Sequence, residues 1–438
     1  MLRPGIPAAR LFCAVILHSK RKGHQSGKRG LRVGMRPYQS GRLAGQVGAL
    51  HDPLPRIGRF VSCGPAALPM SSAPAALPAL HYPFDQAEPA PGGVLRVAEG
   101  LLWVRMAMPF ALNHINLWLL RDRLDGREGW TIVDCGLGKP DVHEQWEQVF
   151  ASALDGLPVL RVIVTHMHPD HIGSAAWLTE RWSTPGRPCR AWISAGDYFA
   201  AQLAMRHDAD AGGERAADFF ASHGLTDPAA QAGVRERSGY YRRLVPSLPS
   251  QYVRLLGGQV LHIGNDDWHC IAGYGHAPEH IALHCPARGL CIGGDMLLPR
   301  ISTNVSVHND EPEGDPLSLY LDSLADMGRR LPPATLVLPS HGLPFGGQAA
   351  ADGQGGAHTR IAELIRHHDE RLEETRQACR TRPTSAADLL PVLFRRKLDL
   401  HQTTFAMGEA LAHLHRLWLA GELERERGAD GVYRFTAT

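Results

Sequence analysis

From Gly93 onward the chain alternates short apolar runs with turn residues. Val94-Leu95-Arg96-Val97, Leu101 to Met106, Ile115 to Leu120 and Trp130 to Val133 are predicted as short strands. Residues 140–153 switch to helical spacing. Arg161 to Thr165 is a β-branched run ending in a polar cluster, and Ser174 to Trp182 follows as a helix. The alternation continues to about residue 197 and predicts an α/β domain. Residues 197–245 are Ala-rich, polar and mostly helical. Strands are expected again at 252–263, 267–273, 281–285 and 290–293, and at Thr335 to Leu338.

The pattern then changes. Gly346 to Gly356 is a Gly/Ala/Gln linker, and His358 to Arg380 is a long charged helix with His367-His368 expected on its solvated face. Thr384 to Phe394 and Thr403 to Ala420 give two more helices. Asp430-Gly431 sits between Glu422–Arg427 and Val432–Phe435 as a hairpin turn. Helix, helix and hairpin together resemble a winged-helix-like module. Its leucines and Phe394 (Leu389, Leu390, Leu393, Leu411, Leu414, Leu417) are expected to form a core. Residues 384–438 carry 7 basic and 7 acidic side chains, so the module lacks the positive excess that phosphate tracking requires. A pocket-shaping or dimerising role is favoured over RNA capture.

Composition changes the picture at the other end. The first 92 residues contain 12 prolines and no sustained periodicity, which predicts poor order. Residues 1–69 hold 12 Lys/Arg against the lone Asp52, whereas residues 70–438 hold 34 Lys/Arg against 43 Asp/Glu. The net charge of +2 therefore conceals a basic leader and an acidic body. A basic tail or organelle-targeting segment would explain the leader. So would a translation start upstream of the true one, with Met70 or Met35 as the start, and this second explanation is favoured. The acidic body weighs against a broad nucleic-acid-binding surface. No apolar run approaches the ~18–20 residues of a membrane helix, and Leu11 to Leu17 has no cleavage site behind it. Eight cysteines form no C-x-x-C pair, as expected of reduced thiols in a cytoplasmic protein.

The chemistry concentrates in Thr165-His166-Met167-His168-Pro169-Asp170-His171, between a predicted strand and a predicted helix. Alternation places His166 and His168 on one side, with Asp170 and His171 free to turn toward a second position nearby. Imidazole and carboxylate are ligands that a borderline cation accepts. One H-x-H pair among 24 histidines is weak; H-x-H-x-D-H at a strand end is specific.

This motif resembles the metallo-β-lactamase superfamily, and later residues fit the resemblance in order. Gly275-His276-Ala277-Pro278-Glu279-His280 is similar to the family's G-H-(S/T/A)-P-x-H loop. Gly293-Gly294-Asp295 follows a strand, as the family's bridging aspartate does. Pro339-Ser340-His341-Gly342 falls where its last histidine does, and Val133-Asp134-Cys135-Gly136 matches its early V-D-(T/C)-G turn. The resemblance implies a four-layer αββα sandwich over residues 93–346, with a helical, winged-helix-like module over 357–438. It implies His166, His168 and His276 on one divalent ion, Asp170, His171 and His341 on a second, and Asp295 between them. The ions are expected to be Zn²⁺, with Fe or Mn²⁺ as alternatives. A hydroxide shared by two ions about 3.5–4 Å apart would be the nucleophile, with Asp170 and Asp295 as its catalytic carboxylates. Asp134 is expected behind the ligands or in the turn. His280, His114 and Asn304 are expected beside the substrate; Asn116 is expected to be structural, with the pocket mouth as its alternative.

Departures from the family narrow the reaction. His171 stands where the penicillin-cleaving branch typically has Arg, and His168 where the oxygen-reducing branch has Glu. The remaining resemblance is to thioester hydrolases of the hydroxyacylglutathione hydrolase kind and to lactonases. A small ester, thioester or lactone is therefore the expected substrate. The alternative is an endoribonuclease-like phosphodiesterase with RNA presented by the C-terminal module. A homodimer is an open expectation, with neither nucleic acid nor membrane as partner.

Overall fold

The computed structural model describes residues 77–438, apart from Gln86 and residues 208–211. The basic leader, Met35 and Met70 lie outside the described residues. Residues 77–92, which composition assigned to the leader, take part in the body. Leu80 and Tyr82 pack on its core, and the backbone of His81 bonds to Gly355 and Gly346 at 2.8 Å.

The first sheet begins as an antiparallel meander of β1 (Val94–Ala98), β2 (Leu101–Ala107), β3 (His114–Leu124) and β4 (Arg127–Val133). Three parallel strands follow, β5 (Val159–Ile163), β6 (Arg190–Ser194) and β7 (Tyr252–Leu255), in sequential order. Helices connect them: α1 (Pro140–Ala153), α2 (Pro169–Ile172), α3 (Ala175–Trp182), α4 (Ala195–His207), α5 (Gly212–Ala221), α6 (Pro228–Glu236) and α7 (Tyr240–Leu244). In α1 the apolar spacing Val142, Trp146, Val149, Phe150 makes one buried stripe. The Trp146 indole N–H at its centre donates to Cys135 O at 2.8 Å.

The second sheet holds β8 (Val260–Ile263), β9 (Asp266–Gly273), β10 (His280–Cys285), β11 (Leu290–Gly294), β12 (Leu336–Pro339) and β13 (Phe345–Gly346). Within it only β11 and β12 run parallel. They are connected through α8 (Pro316–Arg330), a helix that sequence reading did not anticipate. Its start is marked by Asp315, whose carboxylate accepts from Ser318 N–H, and by Pro316 in the first turn.

The run 252–263 is two strands rather than one. Gly258 takes φ +81° and donates to Cys270 O, so the chain turns and changes sheet between β7 and β8. The run expected at Arg161–Thr165 pairs instead over Val159–Ile163, which frees Thr165 for the site.

Inward residues of both sheets, among them Trp103, Trp118 and Ile163 from the first and Trp268, Ile281 and Leu338 from the second, form the central core. Helices α1, α3 and α4 cover the outer face of the first sheet, and α8 with the C-terminal helices covers that of the second. The result is the four-layer α/β arrangement. Arg161 and Asp122, both buried, pair at 2.9 Å between the sheets. Asp122 also accepts from Gly264 N–H at 2.9 Å and Arg161 donates to His262 O at 2.6 Å.

The C-terminal segment consists of α9 (Ala357–Thr381), α10 (Ala386–Leu393), α11 (Leu400–Leu419) and a hairpin of β14 (Leu423–Arg427) and β15 (Tyr433–Ala437). Leu389, Leu393, Leu411, Leu414 and Leu417 are buried in the same core as α8, with Leu390 and Phe394 packed against it. His368 corrects the expectation of a solvated face. It is fully buried, its Nδ1 3.2 Å from His413 Nε2, because α9 lies between α8 and α11; His367 is half-buried. No helix among the described residues is long and apolar enough to cross a membrane. The six described cysteines are buried and unpaired.

Candidate metal centre and substrate cavity

The proposed ligands come from the carboxyl ends of β5, β9, β11 and β12. The parallel pairs β4–β5 and β11–β12 bring strand ends of both sheets to one edge of the sandwich, where loops can converge. His166 to His171 lead from β5 into α2, His276 lies in the turn after β9, His280 opens β10, Asp295 follows β11 and His341 follows β12.

His166 Nε2 lies 2.9 Å from His168 Nδ1 and 3.2 Å from His276 Nε2. Beside them, His171 Nε2 and His341 Nε2 lie 3.6 and 3.4 Å from Asp170 Oδ2. Asp295 joins the two groups. Its Oδ1 is 3.5 Å from His171 Nε2 and 3.4 Å from His341 Nε2, and its Oδ2 is 3.5 Å from His276 Nε2. Three triads each hold their ligand atoms within 4.8 Å: His166/His168/His276, His166/His171/Asp295 and Asp170/His171/His341.

The far nitrogens decide what these rings can do. His276 Nδ1–H donates to Asn304 O at 2.7 Å and His341 Nδ1–H to His114 O at 2.8 Å. His171 Nδ1–H donates to Asp134 Oδ2 at 2.8 Å. Each bond places the lone pair on Nε2, aimed into the cluster. Thr165 Oγ–H donates to Asp134 and lies 3.0 Å from His166 Nδ1, fixing the fourth ring in the same sense. Nitrogen lone pairs would then face each other at about hydrogen-bond distance. In addition His171 Nε2 and Asp295 Oδ1 are buried with no hydrogen-bond partner. Convergent lone pairs and orphaned acceptors are what a divalent cation resolves, so the donor set fits one.

The protein's own charges divide the cluster, favouring neutral His166 and His168 and, beside the carboxylates, protonated His171 and His341. Burial pushes the His166 imidazole well below its ordinary value, with His171 and His168 adding to the effect, and it pushes His168 down to about 3. Neutral imidazole is the form that binds metal. Burial would raise the Asp170 carboxyl, but His171 and His341 hold it down at about 2. His341 is opposed by burial and drawn up to about 10 by Asp295 and Asp170.

Asp134 stands behind the ligands, as expected. It sits at φ +61° after β4 and accepts from Thr165 N–H at 2.8 Å as well as from His171. The three residues expected beside substrate separate. Asn304 lines the cavity. His280 is fully buried, and its Nε2 accepts from Asp295 N–H at 3.2 Å. The close approach requires Gly294, at φ +54°, because a Cβ there would lie 2.1 Å from His280 Nε2. His114 Nε2 accepts from Gly342 N–H at 2.9 Å, so that ring braces the His341 loop. Asn116 is buried, and its amide donates to Pro339 O and Gly342 O at 2.9 and 2.7 Å.

Sequence reading missed Asp197, at the start of α4. Its carboxylate accepts from Met167 N–H at 2.8 Å and Glu279 N–H at 2.7 Å, tying the His166–His171 loop to the His276–His280 loop. Burial pushes this carboxyl up to about 6 against the pull of those N–H groups. The only local signal is Ser194-Ala195-Gly196-Asp197, an ordinary helix start.

Above the cluster opens a cavity of about 790 Å³. His168, Asp170, His276, Asp295 and His341 line its floor, and residues 108–112, 298–304 and 394–409 supply most of its walls.

The metallo-beta-lactamase superfamily description matches residues 112–341, the span that carries all of these ligands. The chain belongs to this superfamily. A second description, metallo-beta-lactamase-like C-terminal domain, matches residues 372–438. The superfamily chain is 53% identical to a beta-lactamase domain protein from Burkholderia ambifaria. That structure superposes with TM-score 0.75 and covers 82% of this chain and 98% of its own. A metallo-beta-lactamase family protein from Thermus thermophilus is 25% identical, with TM-score 0.60, over 78% of this chain and all of that one. A Bacillus subtilis (strain 168) protein described as probable metallo-hydrolase YqjP is 24% identical over 326 residues, 72% of this chain and 91% of its own.

Proposed function

We propose that this metallo-hydrolase cleaves small acyl substrates, an ester, thioester or lactone, and depends on two divalent ions, Zn²⁺ ahead of Fe or Mn²⁺. The observation that carries this reading is the cavity. It is a half-open space of about 790 Å³, walled largely by apolar side chains such as Phe110, Leu298, Phe394 and Phe405, with the ligand cluster at its floor. A small-molecule acyl substrate fits within such a space, whereas an RNA strand needs an open basic track.

His166, His168 and His276 would hold one ion, Asp170, His171 and His341 the other, with Asp295 between. Bound ions supply a Lewis acid for the carbonyl oxygen and lower the pKa of water toward neutrality. The chain itself contributes orientation. Asn304 O, His114 O and Asp134 fix the rings, and Asp197 holds two ligand loops in register. Asp170 and Asp295 present carboxylate oxygens to the cavity floor, where the proton of an attacking water can be held.

The test is a metal count on freshly purified protein, together with turnover of a thioester, a lactone and an RNA. Near-stoichiometric metal and cleavage of an acyl substrate with a shallow salt dependence are expected. Metal-free protein at full activity, or RNA cleavage that falls steeply from low to moderate salt, would overturn the reading.

A further inference from the structure

The wall that α11 contributes to the cavity carries an acidic group that the chemistry above does not use. Glu409 lines the same space as the five ligands at the floor. Other charged side chains there have local duties. Asp399 Oδ1 accepts from Gln402 N–H at 2.8 Å as the cap of α11, and Arg396 donates to Gln402 Oε1 at 2.7 Å. The Glu409 carboxyl makes no hydrogen bond or ion pair among the described residues. Arg371 of α9 is the cation whose charge reaches it, but that guanidinium is turned to Leu393 O at 3.2 Å and Glu374 Oε1 at 3.1 Å.

Such a carboxyl is expensive where it stands. Burial pushes it up to about 7. Half-buried and open to the cavity, it depends on cavity water rather than on a protein donor. The neighbouring positions Ala406, Leu411 and Leu414 show that α11 accepts apolar residues readily. The cavity lining is largely apolar, including Leu298, Ile301 and Phe405, and none of its donors, Arg396, Gln402 and Asn304 among them, bonds the carboxyl. A donor can come from whatever fills the cavity.

We propose that Glu409 is a specificity-determining acceptor for an N–H group, amide or ammonium, on the arm of an acyl substrate whose scissile carbonyl lies at the ligand cluster. This rests on the acyl-hydrolase reading and adds the class of substrate. The arm between carbonyl and donor is apolar, in keeping with the largely apolar lining of the cavity. The C-terminal segment thereby selects the substrate without touching the reacting atoms. A substrate lacking the donor leaves the carboxyl unsatisfied, and that penalty provides the discrimination.

The experiment compares three butyryl thioesters on metal-loaded wild type, Glu409→Gln and Glu409→Leu. Their thiols are N-acetylcysteamine (an amide N–H), 2-(dimethylamino)ethanethiol (an ammonium N–H) and pentanethiol (no donor). Wild type is expected to favour at least one donor-bearing thioester over the pentyl one by about tenfold or more in kcat/KM, mainly through KM. Glu409→Gln, which keeps an acceptor without the charge, retains preference for the amide and loses any for the ammonium. Glu409→Leu brings both ratios near unity. In parallel, calorimetry measures binding of S-pentyl-N-acetylcysteamine, a thioether that cannot be hydrolysed. It is expected to bind wild type and Glu409→Gln about tenfold tighter than Glu409→Leu. Metal content and melting temperature of each variant check that the centre and fold are intact. Equal ratios in wild type and Glu409→Leu, or thioether binding that is absent or indifferent to residue 409, would overturn the proposal. Glu409-dependent binding without turnover of any thioester would instead sink the acyl-hydrolase reading and leave the recognition site standing.

Discussion

At the floor of the cavity His276, His341 and His171 are each pinned on the far nitrogen, by Asn304 O, His114 O and Asp134. On the wall formed by α11, the Glu409 carboxyl has no hydrogen-bond partner among the described residues, and Phe405 leaves 43% of its surface exposed. The floor is preorganised: its rings are oriented before any ion or substrate arrives, because imidazoles free to rotate would give a weak and unselective site. The wall carries an unpaired carboxyl and a half-exposed aromatic ring, both open to the cavity. In the proposed reading, chemistry and selection are held by different parts of the chain, and each can be broken separately.

The largest effect is expected at the floor. Asp295→Ala removes the one carboxylate that reaches both ligand groups, so metal content and turnover should fall together to background. Metal analysis beside a kinetic assay checks this, and full activity in the variant would remove Asp295 from the site. Asp197→Asn keeps the size but replaces one acceptor oxygen with a donor, against N–H groups of Met167 or Glu279. A loss of about 10–100-fold in activity or metal affinity is expected, with the fold retained. An unchanged variant would show that the two ligand loops hold their register without the clamp.

Wall variants should leave metal content alone. Phe405→Ala enlarges the apolar side of the cavity and is expected to shift preference toward longer acyl chains by about tenfold in kcat/KM, read from a chain-length series. The smallest effect is on stability. The Glu409 carboxyl rises from its ordinary 4.5 to about 7 in the folded protein, so the folded state binds its proton more tightly than the unfolded one. Below about 4.5 both states are protonated and the group contributes nothing. Between about 4.5 and 7 the native state keeps a proton the unfolded state has lost, so stability falls as pH rises, and above about 7 the penalty is complete. Glu409→Gln should therefore gain stability relative to wild type as pH rises from about 4.5 to about 8, measured as the difference in urea midpoints. A difference that does not change with pH would mean that the carboxyl is solvated.

Most strands and helices were legible because apolar periodicity is a local property of the chain. The exceptions have physical causes. The stretch 252–263 carries a continuous β pattern, and only the left-handed turn at Gly258 sends its second half to the other sheet. Helix α8 shows Leu317, Tyr320, Leu324 and Met327 at helical spacing, yet it follows a long irregular stretch that hid its start. His368 lies on a helix so charged that solvation was the natural reading, but α9 is enclosed by α8 and α11 along one stripe.

The sequence by itself determined the candidate ligand set. His166, His168, Asp170, His171, His276, Asp295 and His341 fall in short motifs at strand ends, where backbone geometry aims several side chains at one point within a few residues. Tertiary structure alone decided what stands behind and above them. His280 and His114 turned from the substrate to Asp295 N–H and Gly342 N–H, Asp197 emerged as a clamp, and Glu409 reached the cavity from a helix far along the chain from Asp295. Such contacts depend on loop closure and packing between distant elements, and no local period of the chain encodes them.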